Sequence, residues 1–191
     1  MTRREALSAV AVLLGGTVVG SSVILTGCKN ADTKVNTAGY DTFDANEVAL
    51  LDEIAETIIP TTTSPGAKAA KVGTFMTVMV KDCYEAGNQK IFKEGLEKVQ
   101  KASDKKFNKS FTEADAKQRH ELLVDLDKEQ KDYMKNKKPE EPSHYFRMMK
   151  ELTLMGYFTS EVGATQALNY IDVPGRYEGC IPFKKGDKAY A

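Results

Sequence analysis

From residue 43 onward, apolar positions recur every three or four residues, the period of a helix that buries one face. Val48, Leu51, Ile54, Ala55 and Ile58 make the first stripe. Asp44, with Glu47 three residues later, has the capping-box pattern that opens it, Thr42 being the other residue able to cap, and Pro60 ends it. Thr61-Thr62-Thr63-Ser64-Pro65-Gly66 follows as a turn-rich loop. A second helix is predicted over 67–84, with Val72, Phe75, Met76, Met79 and Cys83 on its inner face. A third spans 86–102 and turns Ile91, Phe92, Leu96 and Val99 inward. Thr112-Glu113-Ala114-Asp115 reads as another capping box, opening a fourth helix built on Leu122, Leu123 and Leu126. A fifth begins after Pro142-Ser143 and buries Tyr145, Met148, Met149, Leu152 and Met155, and a short sixth runs from Ser160 to Tyr170. From Val173 the chain carries Pro174, Gly175, Gly179, Pro182 and Gly186 and reads as irregular. No stretch alternates with the two-residue period of a half-buried strand, and no internal repeat is visible. The expected fold is all-α: a compact bundle of about five to six helices with an irregular C-terminal tail.

The first 28 residues follow another pattern. Arg3 and Arg4 are followed by an uncharged run from Ala6 to Cys28, rich in Ala, Val, Leu and Gly. Such a run is long enough to cross a bilayer, and it also suits the apolar core of a cleaved signal peptide. Its ending favours the second reading. Leu25-Thr26-Gly27-Cys28 resembles the bacterial lipobox, in which the cysteine thiol is acylated and becomes the new N-terminus. Each acyl chain adds about 0.8 kcal/mol per buried CH₂, so a multiply acylated Cys28 would hold the chain on a membrane. Thr2-Arg3-Arg4-Glu5-Ala6-Leu7 also resembles the twin-arginine export motif, departing from it at Ala6 and Ser8; general secretion is the alternative route. The expected organisation is a lipoprotein signal peptide over 1–27, a polar tether over 28–42, a helical domain over 43–183 and a polar tail over 184–191.

Composition narrows the chemistry. The 191 residues carry 27 Lys+Arg and 27 Asp+Glu, a formal net charge of zero, so no basic excess is present to neutralise a nucleic-acid backbone. With two His and three Cys, the chain lacks a His-rich metal site, a haem-attachment C-x-x-C-H and any zinc-type cysteine pair. Neither G-x-G-x-x-G nor G-x-x-x-x-G-K-[ST] occurs. His120 lies in the fourth helix and His144 at the start of the fifth; each reads as a structural or surface histidine, an acid/base role needing a positioned partner. Cys83 and Cys180 are the pair available for a disulfide in an exported protein, the other reading being two separate buried thiols. A bridge would close a loop of about a hundred residues and contribute on the order of 4 kcal/mol by the chain-entropy argument. Met76, Met79, Met148, Met149 and Met155 fall at core spacing, which favours packing over soft-metal binding. No catalytic, cofactor-binding or metal-binding residue is assigned.

Several segments together resemble the gluconate 2-dehydrogenase subunit 3 family. They are Phe43-Asp44-Ala45-Asn46-Glu47, then Leu50-Leu51-Asp52-Glu53-Ile54-Ala55-Glu56-Thr57-Ile58-Ile59-Pro60, then Ser64-Pro65-Gly66-Ala67-Lys68-Ala69-Ala70-Lys71-Val72. Gly156-Tyr157-Phe158-Thr159-Ser160-Glu161-Val162-Gly163 and Gly175-Arg176-Tyr177-Glu178-Gly179-Cys180 complete the set. The resemblance covers 43–183 and is weakest over 85–142. It implies a small, non-catalytic accessory subunit that binds, stabilises or co-exports a sugar or sugar-acid dehydrogenase at the cell envelope. FAD is then expected in a large partner of the glucose–methanol–choline type, haem c in a cytochrome c partner, and neither in this chain. A twin-arginine signal on a chain without a cofactor motif fits export of a flavin-loaded partner that has no signal of its own. The short motifs around Pro60, Pro65 and Gly66, and around Gly156, Tyr157 and Gly163, are the candidate partner interface; helix capping and tight packing are their other reading. The alternatives are a free-standing structural envelope lipoprotein, or a lipoprotein enzyme with an acid/base site at His144 or His120. Localisation is expected on the periplasmic side of an envelope membrane.

The lipobox generates a direct test. Metabolic labelling with a clickable fatty acid marks the wild-type chain and misses Cys28→Ala; equal labelling of both removes the anchor.

Overall fold

Among the described residues, the capping signals and apolar stripes fold into five α-helices followed by one π-helical turn. The computed structural model describes residues 43–173, 175–176, 179–182 and 184–190. The expected leader with Arg3 and Arg4, the lipidation residue Cys28, the tether over 28–42 and the alternative cap Thr42 lie outside the described residues.

Helix α1 spans Ala45–Ile58. Asp44 opens it as the sequence predicts: its carboxylate accepts from the Glu47 amide at 2.8 Å, and the Glu47 carboxylate accepts from the Asp44 amide at 2.8 Å. Leu51, Ile54 and Ala55 are completely buried. Helix α2 spans Val72–Cys83 and starts five residues later than predicted. The intervening residues form successive turns because their amides bond elsewhere, Ala67 N–H to Ile59 O and Lys68 N–H to the Glu56 carboxylate. Lys71, at φ 54°, turns the chain into α2. Of the predicted inner face, Val72 and Met76 are buried and Phe75 and Met79 half-buried, but Cys83 is exposed because the last turn of α2 runs past the core.

Helix α3 runs Ala86–Phe107, five residues beyond the predicted end. The extension is mostly charged and shows little apolar period, yet Ser103 is buried and donates to Lys109 O, and the left-handed Asn108 forms the stop. Helix α4 spans Ala116–Asn136. Its cap is Asp115 rather than Thr112: Asp115 accepts from the Gln118 amide, and the Gln118 side chain accepts from the Asp115 amide. Helix α5, Tyr145–Phe158, begins where predicted. The predicted sixth helix is present but shorter: after a bend at Ser160, Glu161 and Val162 are α-helical and run straight into a π-helical turn, Gly163–Ala167, which ends three residues before the predicted Tyr170. Among the described residues there is no strand; the tail carries one isolated parallel bridge, Asn169 to Tyr190.

Helix α5 sits at the centre and packs against each of the other four α-helices. Tyr145, Phe146, Met148, Met149, Leu152, Thr153, Gly156 and Tyr157 are all buried along it. Gly95 lets α3 approach closely, since a Cβ there would lie 2.6 Å from the Tyr145 ring. Lys150 ties α5 to α4 through Asp127 at 2.6 Å, and Lys131 meets the same carboxylate. Burial would raise the Asp127 carboxyl, but the two ammonium groups outweigh it and hold it at about 2.

The caps make a discriminating stability test. Asp115→Ala should cost about 1 kcal/mol in equilibrium urea unfolding, as loss of an N-cap does. Thr112→Ala, at an exposed residue outside the helix, should stay within about 0.5 kcal/mol of wild type.

Candidate functional site

Three carboxylates leave α1 near its C-terminal end. Asp52 and Glu56 are one turn apart and Glu53 is next to Asp52, so all three reach toward the chain that returns after Pro60. The Asp52 carboxylate accepts from Gly73 N–H at 2.9 Å, capping α2, whose own N-cap residue Lys71 supplies no side-chain bond. Burial pushes the Asp52 carboxyl above its ordinary value even against that bond. A Cβ on Gly73 would lie 2.5 Å from Asp52 Oδ1, so the cap depends on glycine there. Glu53 pairs with Lys68 and with Arg119 of α4. Burial raises its carboxyl, but the two cations outweigh that and leave it below the ordinary range.

Glu56 organises the loop. One carboxylate oxygen accepts from Thr61 N–H at 2.9 Å and from Thr61 Oγ1 at 2.8 Å; the other accepts from Lys68 N–H at 2.9 Å. Gly66 passes so close that a Cβ would run into this carboxylate. The Tyr157 hydroxyl then donates to Pro65 O at 2.7 Å, fastening the loop to the last turn of α5. Next to Tyr157, Gly156 packs flat on Phe75, where a Cβ would lie 2.5 Å from the ring. Ser160 Oγ donates to Tyr157 O at 2.6 Å and accepts from Gly163 N–H at 3.0 Å; a Cβ on Gly163 would strike the Tyr157 carbonyl.

The two motifs read from sequence as a candidate interface are therefore brought into one neighbourhood. Gly66, Gly156, Tyr157 and Gly163 are buried there, Pro65 is half-buried, and Pro60 is exposed together with Thr61, Thr62 and Thr63. Three large apolar side chains on the same end of α5 face outward: Leu154 is 42% exposed, Met155 48% and Phe158 41%. Met155 is thus not the core residue its spacing suggested, because α5 is covered on most sides and leaves one outer stripe. Sequence reasoning missed Leu154 and Phe158 as well as the roles of Asp52, Glu53 and Glu56. The acidic trio was visible in the α1 motif, but its partners lie in α2, α4 and the loop.

The remaining candidates are dispersed. Cys83 and Cys180 are both free and exposed, so the bridge considered from the sequence is not formed, and neither thiol is buried. His120 is exposed on α4. His144 caps α5, its Nδ1 accepting from Phe146 N–H at 3.2 Å, and its Nε2 faces Glu129 at 3.5 Å. Glu129 lies nine residues beyond His120, roughly 13 Å along the helix, so the two imidazoles do not converge. Among the described residues no cluster of three His, Cys, Asp or Glu is arranged to hold a metal ion. No helix among them is long and apolar enough to cross a membrane. A groove of about 560 Å³ between α1 and α3 is lined by Asp44, Glu47, Leu50, Leu96, Gln100 and Lys101, among others.

A family model described as gluconate 2-dehydrogenase subunit 3 matches residues 45–175, from the start of α1 to just past the π turn. No curated protein and no solved structure matches the chain.

The clamp between the two motifs can be weighed. Tyr157→Phe keeps the ring and removes the hydroxyl that reaches Pro65. It should lower stability to urea by about 1 kcal/mol, the net worth of an internal hydrogen bond. An unchanged unfolding midpoint would show that the loop is held without it.

Proposed function

Because the chain belongs to the gluconate 2-dehydrogenase subunit 3 family, a family of dehydrogenase-complex subunits, we propose that it is a non-catalytic accessory subunit that binds and stabilises a flavin-containing sugar or sugar-acid dehydrogenase at the cell envelope. The observation that carries this reading is the outer face of α5. Leu154, Met155 and Phe158 stand exposed on one end of a helix whose other sides are packed in the core. Clustered exposed side chains of this size mark association surfaces more often than isolated ones do. The Tyr157–Pro65 bond sets the exposed loop Pro60–Thr63 beside this end of the helix. Apolar side chains on α5 and a rigid loop edge together make a face suited to a partner protein.

The partner is a large catalytic subunit of the glucose–methanol–choline type, which carries FAD and passes electrons to a c-type cytochrome. The chemistry of oxidation stays in those chains; this one contributes a binding surface. The export motif around Arg3 and Arg4 then serves the complex. A partner that folds around flavin before export, and has no signal of its own, crosses the membrane docked on this subunit. Cys28, acylated, holds the assembly at the periplasmic face.

Detergent-solubilised membranes test the docking face. The full-length wild-type chain should bring down a flavoprotein, identified by its flavin absorption and by sugar-dependent reduction of a dye. The double variant Leu154→Asp, Phe158→Asp, with helicity intact by circular dichroism, should lose that flavoprotein by about tenfold or more, equivalent to 1.4 kcal/mol. Undiminished recovery removes α5 as the docking face. Absence of any flavoprotein from the wild-type sample overturns the accessory reading itself.

A further inference from the structure

His144 holds a post at which a non-titrating residue is the rule. Helix N-caps are normally Ser, Thr, Asp or Asn, whose oxygens accept an amide at any pH near neutrality. The N-cap of α5 is an imidazole, with Nδ1 accepting from Phe146 N–H at 3.2 Å. A backbone amide can only donate. Nδ1 must therefore present its lone pair, and the ring proton resides on Nε2. That nitrogen faces Glu129 Oε1 on α4 at 3.5 Å. The ring lies against Tyr145, with centroids 4.3 Å apart, and near Tyr133 of α4 at 5.5 Å.

We propose that His144 is a proton-sensitive latch on the central helix: the neutral imidazole caps α5, and a proton taken up at Nδ1 from solvent breaks that cap. Once Nδ1 carries hydrogen it opposes the Phe146 amide donor to donor, and the N–H···N bond is lost. The positive end of the α5 dipole also disfavours the imidazolium. The groups facing the ring act in both directions. Glu129 favours the cation and Lys98 of α3 opposes it, while the rings of Tyr133 and Tyr145 lie against the imidazole. Burial is the largest influence and pushes His144 below its ordinary value, with Glu129 pulling the other way. Since Tyr145 and Phe146 are buried directly behind the cap, loosening this turn disturbs the helix that touches every other helix of the bundle.

The sign follows from linkage. A histidine depressed in the folded state contributes stability that is complete above about pH 6.5, the unfolded value, and is lost as pH falls through the folded value. Asp127, Glu53, Asp125 and Glu113 are all held below their ordinary carboxylate values, so their contributions disappear at more acid pH. Among the described residues, His144 is the shifted group expected to remove stability between about pH 6.5 and 5, while Asp52, raised by burial, acts in the opposite sense as pH falls.

The test uses the full-length chain, isotope-labelled, in detergent micelles. On titration from pH 7.5 to 4.5, the Phe146 amide resonance should shift with the same midpoint as the His144 ring, and that midpoint should fall below 6.5. In His144→Asn, which keeps a capping side chain but does not titrate, the Phe146 amide should stay in place. The wild-type loss of urea midpoint between pH 6.5 and 5 should shrink by more than half in this variant. His120→Asn, altered at an exposed site, should behave as wild type. A Phe146 amide that ignores the His144 titration overturns the latch. So does an Asn variant that loses stability across this interval as the wild type does.

Discussion

The short row of carboxylates on α1 is the constraint on which the rest of the domain depends. Helix α2 begins at a left-handed lysine that offers its first amides no side-chain acceptor. Unsatisfied amides at a helix start are costly, and here Asp52 reaches across from α1 to take the Gly73 N–H. Glu56 does the same for Thr61 and Lys68 in the loop, and Glu53 joins the loop to α4 through Lys68 and Arg119. One helical turn thereby sets the path of the return segment, the start of α2 and the seat of α4. The carbonyl of Pro65 is presented to Tyr157 because this path is fixed.

From there the geometry passes to α5. Its inner side is apolar and aromatic, and its contacts with α3 and with Phe75 require glycines, because the approach leaves no room for a Cβ at Gly95 or Gly156. Its outer side changes character along its length. Arg147 and Glu151 pair with each other near the N-terminal end, while Leu154, Met155 and Phe158 stand exposed toward the C-terminal end. One helix is both the centre of the core and the carrier of the apolar face. A partner held there would sense the packing of the bundle directly.

The family membership and the geometry fit a chain whose work is binding. The short motifs that carry the resemblance supply caps, close approaches and a clamp, the means of presenting a rigid surface. The side chains that would meet a partner are their neighbours: the exposed loop edge and the outer residues of α5. A rigid surface loses little conformational freedom on association, which favours a stable subunit contact.

The sequence by itself determined the helices and most of their inner faces, because helix formation answers to local capping and to apolar period. Asp44 with Glu47, and the stripe through Leu51, Ile54 and Ala55, needed no knowledge of the remainder of the chain. The ends of elements were less legible. Ala67–Lys71 has helical composition, but its amides are claimed by Ile59 and Glu56, and the charged stretch to Phe107 continues as helix because it packs through Ser103. Tertiary structure alone decided which exposed and buried roles the motif residues take. Gly66, Gly156, Gly163 and Tyr157 were open in the sequence between a partner interface and tight packing, and they lie inside, because neighbouring groups crowd them, some of them distant in sequence. Met155 and Cys83 looked like core and lie outside, because burial depends on which neighbouring elements cover a face. That covering is a property of three-dimensional packing, which the spacing of residues along one helix does not contain.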